Sequence, residues 1–532
     1  LTIETQVLIV GAGPAGIIMT AELLRRGISV RVIDKLPCAQ GFSKALTVHS
    51  RTLEMFERID PGLLARFLKR GLPVKGFSFK FQGIEEEPVL DFQNLDTDYP
   101  YVLNHRQDET ELYIREYIQN KFGHEIEWNT ELVEMEQEKE GIRAKLVHHD
   151  EQGRQELIHC QWLIACDGIH SHIRETLGLD YGGEDYTGMV LQNMDVDLAG
   201  FPAERRDWLN FFMTKDRFIL MTPLPGGFFR LLLSDMGAAA DPNISPKEAF
   251  QSFVTEHLPE VTLGEPVWAS KWEIWNRLAS DYREGNIFLV GDSAHVHSPS
   301  GGQGMNCCMQ DAHNLAWKLA LVIDGKAAPS LLDSYEAERM PIAEQVIHGA
   351  SAIHQIIMGH GVEMENRFEL ADNPEWLEQA VGRLSGISHS YRLTVSMPSD
   401  LSPSNGPQAG ERAPNVRLAE DSTLFSLFSH PNFTLLLIPS QDNNGEIALC
   451  RELSKKLAST YKTLLHHHLL ASLDLSEGTA ITEQGIDNLR SAYELSNQGQ
   501  LLLVRPDGYI GFRCLLSERE HLSTFLGTLF TN

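Results

Sequence analysis

The stretch Gln6-Val-Leu-Ile-Val-Gly-Ala-Gly-Pro-Ala-Gly16 opens on an apolar run and carries three glycines, at 11, 13 and 16. The apolar run reads as a short buried strand, and residues 15–26 read as a helix that Gly27 ends. Residues 29–33 give a second strand, which stops at Asp34. A strand, a glycine-rich turn, a helix and a strand ending in an acid, within about 30 residues, form the dinucleotide-binding fingerprint. Gly11 permits the tight turn, Gly13 lets backbone approach a pyrophosphate, and Gly16 allows close helix packing. Pro14 and Ala15 start the helix, whose N–H groups and positive dipole end favour phosphate. Asp34 is placed to accept hydrogen bonds from the adenosine ribose.

NAD and FAD are both held in this way, so a second stretch decides between them. Gly285-Asn-Ile-Phe-Leu-Val-Gly-Asp292 is another apolar strand ending in an acid. Residues 299–304, with Pro299, Gly301, Gly302 and Gly304, then offer a loop with little side-chain bulk that can lie against a flat ring. The helix beginning near Gly304 aims N–H groups outward and suits an anion such as the N1–C2=O edge of a reduced flavin. A third strand, Leu163-Ile-Ala-Cys-Asp167-Gly168, ends the same way. Asp167 can cap the turn that follows it as readily as it can contact a ligand.

The chain has 532 residues, too many for one core, so two or three domains are expected. With 45 basic and 73 acidic residues its net charge is −28, which argues against nucleic acid or anionic membrane as the main partner. Seven cysteines without a CxxC pair do not form a disulfide framework, and a reducing cytoplasm is the expected setting. The chain enters a strand almost at once, so no signal peptide is expected. No apolar run reaches the roughly 20 residues needed to cross a bilayer. Residues 208–234 surround the turn Pro225-Gly226-Gly227 with apolar runs and read as antiparallel strands with one face on a cavity or core. Helices are expected over 309–321, 331–346 and onward to about His389. Residues 398–414 have linker composition, and a small α/β tail follows with a helix over 446–465. No metal site is expected; His466-His467-His468 falls at the end of that helix, where adjacent side chains diverge.

Gly285 to Asn306, its continuation Asp311-Ala-His-Asn-Leu-Ala-Trp-Lys-Leu319, and Cys166-Asp167-Gly168-Ile-His-Ser-His-Ile-Arg174 together carry a family resemblance. They resemble the class A FAD-dependent aromatic hydroxylases, the para-hydroxybenzoate hydroxylase-like flavoprotein monooxygenases, over most of residues 1–345. The resemblance implies bound FAD, NADPH or NADH as a transient reductant, and O2 added to give a flavin C4a-hydroperoxide that hydroxylates a phenolic or polyketide-like ring. It also implies cofactor contacts from Asp292, Pro299, Gly304, Met305 and Asn306, from Gln107, and from Asp167 and Arg174. Lys44, in Ser43-Lys44-Ala45, stands where an Arg is usual and keeps the charge for the pyrophosphate without the planar fork. No catalytic side chain is assigned; the flavin-facing loop is Pro299, Gly301 and Gly302. Phe211, Thr222 and Leu224 are aligned with the substrate wall. At Leu224 no carboxylate-clamping Arg is present, which points to a larger, less anionic substrate. The alternative is a related flavoenzyme that oxidises or reduces carbon bonds without inserting oxygen.

The fold implied is α/β: a Rossmann-like FAD-binding domain (1–75, 102–185 and 283–345) with an inserted antiparallel-sheet substrate domain (76–101 and 186–282). A helical segment (346–400) and a C-terminal thioredoxin-like domain without CxxC (405–532) complete it, the latter suited to packing or to contact in a homodimer.

Overall fold

A computed structural model describes residues 5–41, 45–215, 217–235, 244–358, 362–395, 397–402, 405–440, 443–471 and 481–531. Strand β1 (Thr5–Val10) is buried between two parallel neighbours, β2 (Val30–Ile33) and the strand Gln155–Ala165. Ile287–Leu289 lies parallel on the far side of Gln155–Ala165. β1, Ile287–Leu289 and the last four residues of Gln155–Ala165 are almost continuously apolar, as strands covered on both faces must be. Helix α1 (Pro14–Leu24) covers them with Ile17, Ile18, Met19, Ala21 and Leu23, all buried. The three strands end together, so Gly11, Cys166 and Asp292 arrive at one carboxyl edge of the sheet. That edge is where open α/β sheets bind ligands.

Next along the chain come β3 (Thr47–Val48) and helix α2 (Ser50–Ile59). A second sheet has eight strands, in the order His295–Val296, Trp268–Ala279, Tyr181–Val196, Phe229–Asp235, Arg217–Pro223, Leu209–Met213, Gly76–Phe81, Val89–Asp91. It is mixed rather than wholly antiparallel, because Leu209–Met213 runs parallel to Gly76–Phe81. The strand Tyr181–Val196 passes without a break through the boundary expected at 185/186. One face of this sheet packs on the helix Pro246–His257 through Phe250, Phe253 and Val254. The other carries Phe77, Phe79, Phe211, Leu220 and Leu232 toward the helix Asp333–Met358 and the carboxyl edge of the first sheet. Helix α3 (Gly304–Ile323) packs along α1, and α4 (Pro374–Ser385) meets residues 299–304, its Arg383 carbonyl accepting from Gln303 Nε2 at 3.0 Å.

Four strands make the last sheet, in the order Leu465–Leu469, Phe433–Ile438, Gln500–Val504, Ile510–Leu515, with only the first pair parallel. The helix expected to reach residue 465 ends at Thr460, and 465–469 form a strand instead. Successive histidines there point to opposite faces because strands alternate, not because helical neighbours diverge. His466 stacks on His430 with centroids 3.7 Å apart, and His467 lies 3.1 Å from the Ser454 hydroxyl. Buried charge pairs tie this unit to the rest: Arg412 with Glu54 of α2 at 2.6 Å, and Arg505 with Glu338 at 2.7 Å.

Candidate active site

The turn from β1 into α1 is closed by backbone contacts. Gly11 has φ +101°, and a Cβ there would lie 2.2 Å from the Cys166 carbonyl oxygen. A Cβ on Gly16 would lie 1.9 Å from the Gly11 carbonyl oxygen. Gly13 differs, since a Cβ there would meet nothing within 4 Å. It faces a cavity of about 360 Å³. No side chain caps α1 at Gly13, so the first N–H groups of the helix remain for a ligand. Asp34 buttresses the turn: its Oδ2 accepts from Ala12 N at 2.8 Å and its Oδ1 from Leu36 N at 2.9 Å. A carboxylate has further lone pairs, so both oxygens can still accept from hydroxyls.

Gly13, Pro14, Ala15, Gln107, Asp292, Pro299, Gly302, Gly304 and Met305 all line the cavity. Gln107 is oriented by its neighbours, accepting from Ala45 N at 3.0 Å and donating to Glu111 Oε1 at 2.9 Å. Asp292 is exposed to the cavity, and its Oδ1 accepts from the Cys308 thiol at 3.2 Å. Helix α3 starts at Gly304 without a side-chain cap. The cavity therefore borders two uncapped helix N-termini, those of α1 and α3. Two phosphate- or anion-favouring helix ends beside an apolar wall fit a dinucleotide carrying a flat ring.

Several expected residues stand elsewhere. Gly301 is buried behind the loop, where a Cβ would lie 2.6 Å from Leu384 Cδ2. Asn306 turns its side chain away from the cavity: Nδ2 donates to the Thr47 and Gly302 carbonyls at 2.9 and 3.0 Å, and Oδ1 accepts from His49 N at 2.9 Å. Asp167 accepts from Ile173 N at 3.3 Å beside the helix His172–Leu177, and burial raises its carboxyl above the usual range. Arg174 donates to the carbonyls of Ser293 and Ile169 and covers the Tyr181 ring, so it belongs to the scaffold and not to the pyrophosphate end. Lys44 lies outside the described residues.

On the substrate side, Phe211 lines the cavity while stacking on Phe79 with centroids 5.4 Å apart. Thr222 and Leu224 do not line it. Thr222 accepts from Asn104 Nδ2 at 2.8 Å and is wholly buried. Their expected places are taken by Leu209, Leu220 and Leu232, with Phe77. Strand alternation could have found Leu209 from Phe211 and Leu220 from Thr222, each two residues away on the same face. No arginine or lysine is among the described residues that line the cavity.

Two histidines beside the loop were not anticipated. The Nδ1 of His297 donates to the Ser298 carbonyl at 2.8 Å, and burial pushes this cavity-lining ring down to about 4, so it is neutral near pH 7. His295 Nε2 lies 2.7 Å from Asp311 Oδ2, and Asp311 Oδ1 accepts from Arg339 Nε at 2.7 Å. With Cys307 these groups are close enough together to suggest a metal. The Arg339 guanidinium already neutralises the carboxylate, however, and a second cation there would be repelled.

Comparison with known proteins agrees with this geometry. Residues 4–350 match the family described as FAD binding domain. The chain is 41% identical to pentachlorophenol 4-monooxygenase of Sphingobium chlorophenolicum, over 98% of this chain and 95% of that protein. It is 36% identical to 6-methylpretetramide 4-monooxygenase of Streptomyces rimosus, over 95% of this chain and 90% of that protein. Among solved structures, the anhydrotetracycline hydroxylase OxyS from Streptomyces rimosus superposes with a TM-score of 0.76 at 29% identity, covering 99% of both chains. The monooxygenase PieE, solved with FAD and substrate, has the same fold, with a TM-score of 0.79 at 21% identity over 99% of this chain and 100% of that one. No helix among the described residues is long and apolar enough to cross a membrane. A paired set of glycine loops at one sheet edge, an apolar wall opposite them and these full-length relatives lead to one assignment: the chain belongs to the FAD-dependent aromatic hydroxylases and is a flavoprotein monooxygenase.

Proposed function

We propose that this monooxygenase hydroxylates an uncharged or weakly acidic phenolic ring lying between residues 299–304 and the wall formed by Phe77, Leu209, Phe211, Leu220 and Leu232. The observation that carries this reading is the apolar wall, which has no cationic side chain among its described residues to clamp a carboxylate. The relatives named for pentachlorophenol and 6-methylpretetramide, a halogenated phenol and a polycyclic phenol, bracket the substrate class. When bound, FAD supplies electron transfer from NADPH or NADH to dioxygen and delivery of one oxygen atom to the ring.

The chain's own part is binding, orientation and exclusion of water. Gly13, Pro14 and Ala15 hold the pyrophosphate on the α1 N-terminus, and Asp34 takes the adenosine ribose. Gln107 and Asp292 fix the flavin side of the cofactor, Asp292 through the ribityl hydroxyls. Pro299, Gly302, Gly304 and Met305 meet the ring system, and the α3 N-terminus favours negative charge on its pyrimidine edge. The leucines and phenylalanines of the wall keep water from the reacting carbon, so that reducing equivalents are not lost as peroxide. The C-terminal unit reads as thioredoxin-like because its strand order and directions follow that pattern, with a packing role since it has no CxxC.

The test is turnover under labelled dioxygen with NADPH or NADH and pentachlorophenol, then with 6-methylpretetramide. One labelled oxygen atom in a ring-hydroxylated product is expected from at least one of the two. Reductant consumption that yields only peroxide with both, or an oxidised product without label, would overturn the reading.

A further inference from the structure

The loop that meets the flavin in this reading is held in part from outside its own stretch. Besides Asn306, two side chains that hold it come from β3 and the residue before α2, about 250 positions earlier. Thr47 Oγ1 donates to the Gly302 carbonyl at 2.9 Å. His49 Nε2 lies 3.1 Å from the Gly301 carbonyl. A carbonyl can only accept, so the proton of His49 sits on Nε2. Both side chains are buried, and burial pushes the His49 ring down to about 4, which keeps it a neutral donor. Asn306 of α3 locks the same pair from below, donating to the Thr47 and Gly302 carbonyls and accepting from His49 N. Phe92 stacks on the His49 ring with centroids 5.9 Å apart and planes 17° apart, and so fixes its tilt. Gly302 itself is at φ +62°, and a Cβ there would lie 2.4 Å from Thr47 Oγ1.

Two successive carbonyls are thus drawn toward β3, whose Thr47 itself borders the cavity. Were they free, either could rotate inward and present a partial negative charge to the ring. Held back, they leave the cavity facing the uncapped N-terminus of α3, which begins two residues after Gly302. Resting on the reading that the flavin lies against residues 299–304, we propose that Thr47 and His49 are positioning residues that set the electrostatic environment of the reduced cofactor. By retaining the Gly301 and Gly302 carbonyls, they let the α3 dipole stabilise the anionic reduced form over the oxidised one. His49 does not line the cavity, and Thr47, which does, acts here through the Gly302 carbonyl.

The experiment measures the flavin midpoint potential and visible spectrum of the FAD-loaded protein for Thr47→Val, Thr47→Ser, His49→Phe and His49→Gln. Gly304→Val, whose Cβ would sit 3.8 Å from His297 Nε2 at the start of α3, tests the underlying reading. Losing one hydrogen bond is worth a factor of about five. Thr47→Val and His49→Phe should therefore each weaken binding of reduced relative to oxidised FAD about fivefold, a fall of about 20 mV for a two-electron couple. Thr47→Ser and His49→Gln keep a donor and should restore most of it. Unchanged potentials in Thr47→Val and His49→Phe, beside a shifted spectrum in Gly304→Val, would overturn the proposal and leave the cofactor placement standing. If Gly304→Val is silent too, the placement fails and the proposal with it. Equal loss of FAD by Thr47→Val and Thr47→Ser would also overturn it, because the serine retains the hydroxyl.

Discussion

The two glycine loops that line the cavity do similar work by different means. Each puts an uncapped helix N-terminus against the cleft, α1 at Gly13 and α3 at Gly304. The first is closed mainly by main chain, Gly11 resting on the Cys166 carbonyl and Gly16 on the Gly11 carbonyl, with Asp34 accepting from Ala12 N. The second is held by side chains from distant segments, Thr47 and His49 on one side and Leu384 of α4 on the other. A loop closed by backbone contacts leaves little room for adjustment by side chains. A loop held by borrowed side chains can be tuned without disturbing the fold, which suits the end where chemistry takes place.

The contrast can be broken most sharply at the first loop. In Gly16→Ala the new methyl group meets a backbone oxygen that cannot yield, and overpacking against main chain costs roughly 3 kcal/mol or more. FAD affinity measured by fluorescence titration should fall at least ~100-fold, and the purified protein should be colourless.

The next effect tests the platform from which the second loop is held. Glu54 of α2 is buried among Arg412, Arg51 and Thr97, and these partners outweigh burial to hold its carboxyl down to about 2. A carboxyl lowered on folding stabilises the native state fully above its unfolded value. That contribution, on the order of 3 kcal/mol, is lost as pH falls from about 4.5 to about 2. Glu54→Gln should lower stability at pH 7 by a comparable amount and flatten the acid limb between those pH values, as read by denaturant melts. An unchanged acid limb would mean that the pair does not anchor the C-terminal unit.

A smaller effect is expected at Gly302. Gly302→Ala introduces a side chain at positive φ and pushes on Thr47 Oγ1, so FAD should bind about tenfold more weakly. In a Thr47→Ala background the second substitution should cost less, because the opposing hydroxyl has gone, and a double-mutant cycle should show non-additivity of at least about 0.5 kcal/mol. Strict additivity would separate the two residues. The smallest expected effect is none: with His49 neutral down to about pH 4, the flavin potential should show no inflection from this ring between pH 6 and 9.

The first loop was legible in the sequence because its determinants are contiguous: strand, three glycines, helix and Asp34 lie within one stretch. The second was legible only in outline. Pro299, Gly302, Gly304 and Met305 do line the cavity, but Gly301 and Asn306 serve the loop's attachment, and nothing local marks Thr47 or His49 as their partners. Hydrogen bonds between residues about 250 apart leave no periodic signal. The substrate wall was half-read for a related reason. Alternation shows which residues share a face, and Phe211 was on the cavity, but how far along the strand the cavity extends depends on Asn104 capturing Thr222 from another sheet. The helix extended to residue 465 was an error of period, in which the strand Leu465–Leu469 is recognisable only by its pairing with Phe433–Ile438.

One cofactor spans both loops in this reading, and diffraction from crystals of the FAD-loaded protein tests this most directly. The predicted result places the pyrophosphate oxygens within about 3 Å of the N–H groups that follow Gly13. It also places the pyrimidine edge of the ring over the Gly304–Met305 end of α3, with the Thr47 and His49 bonds intact. Density for the ring on the far side of residues 299–304, away from Leu220 and Phe211, would contradict it.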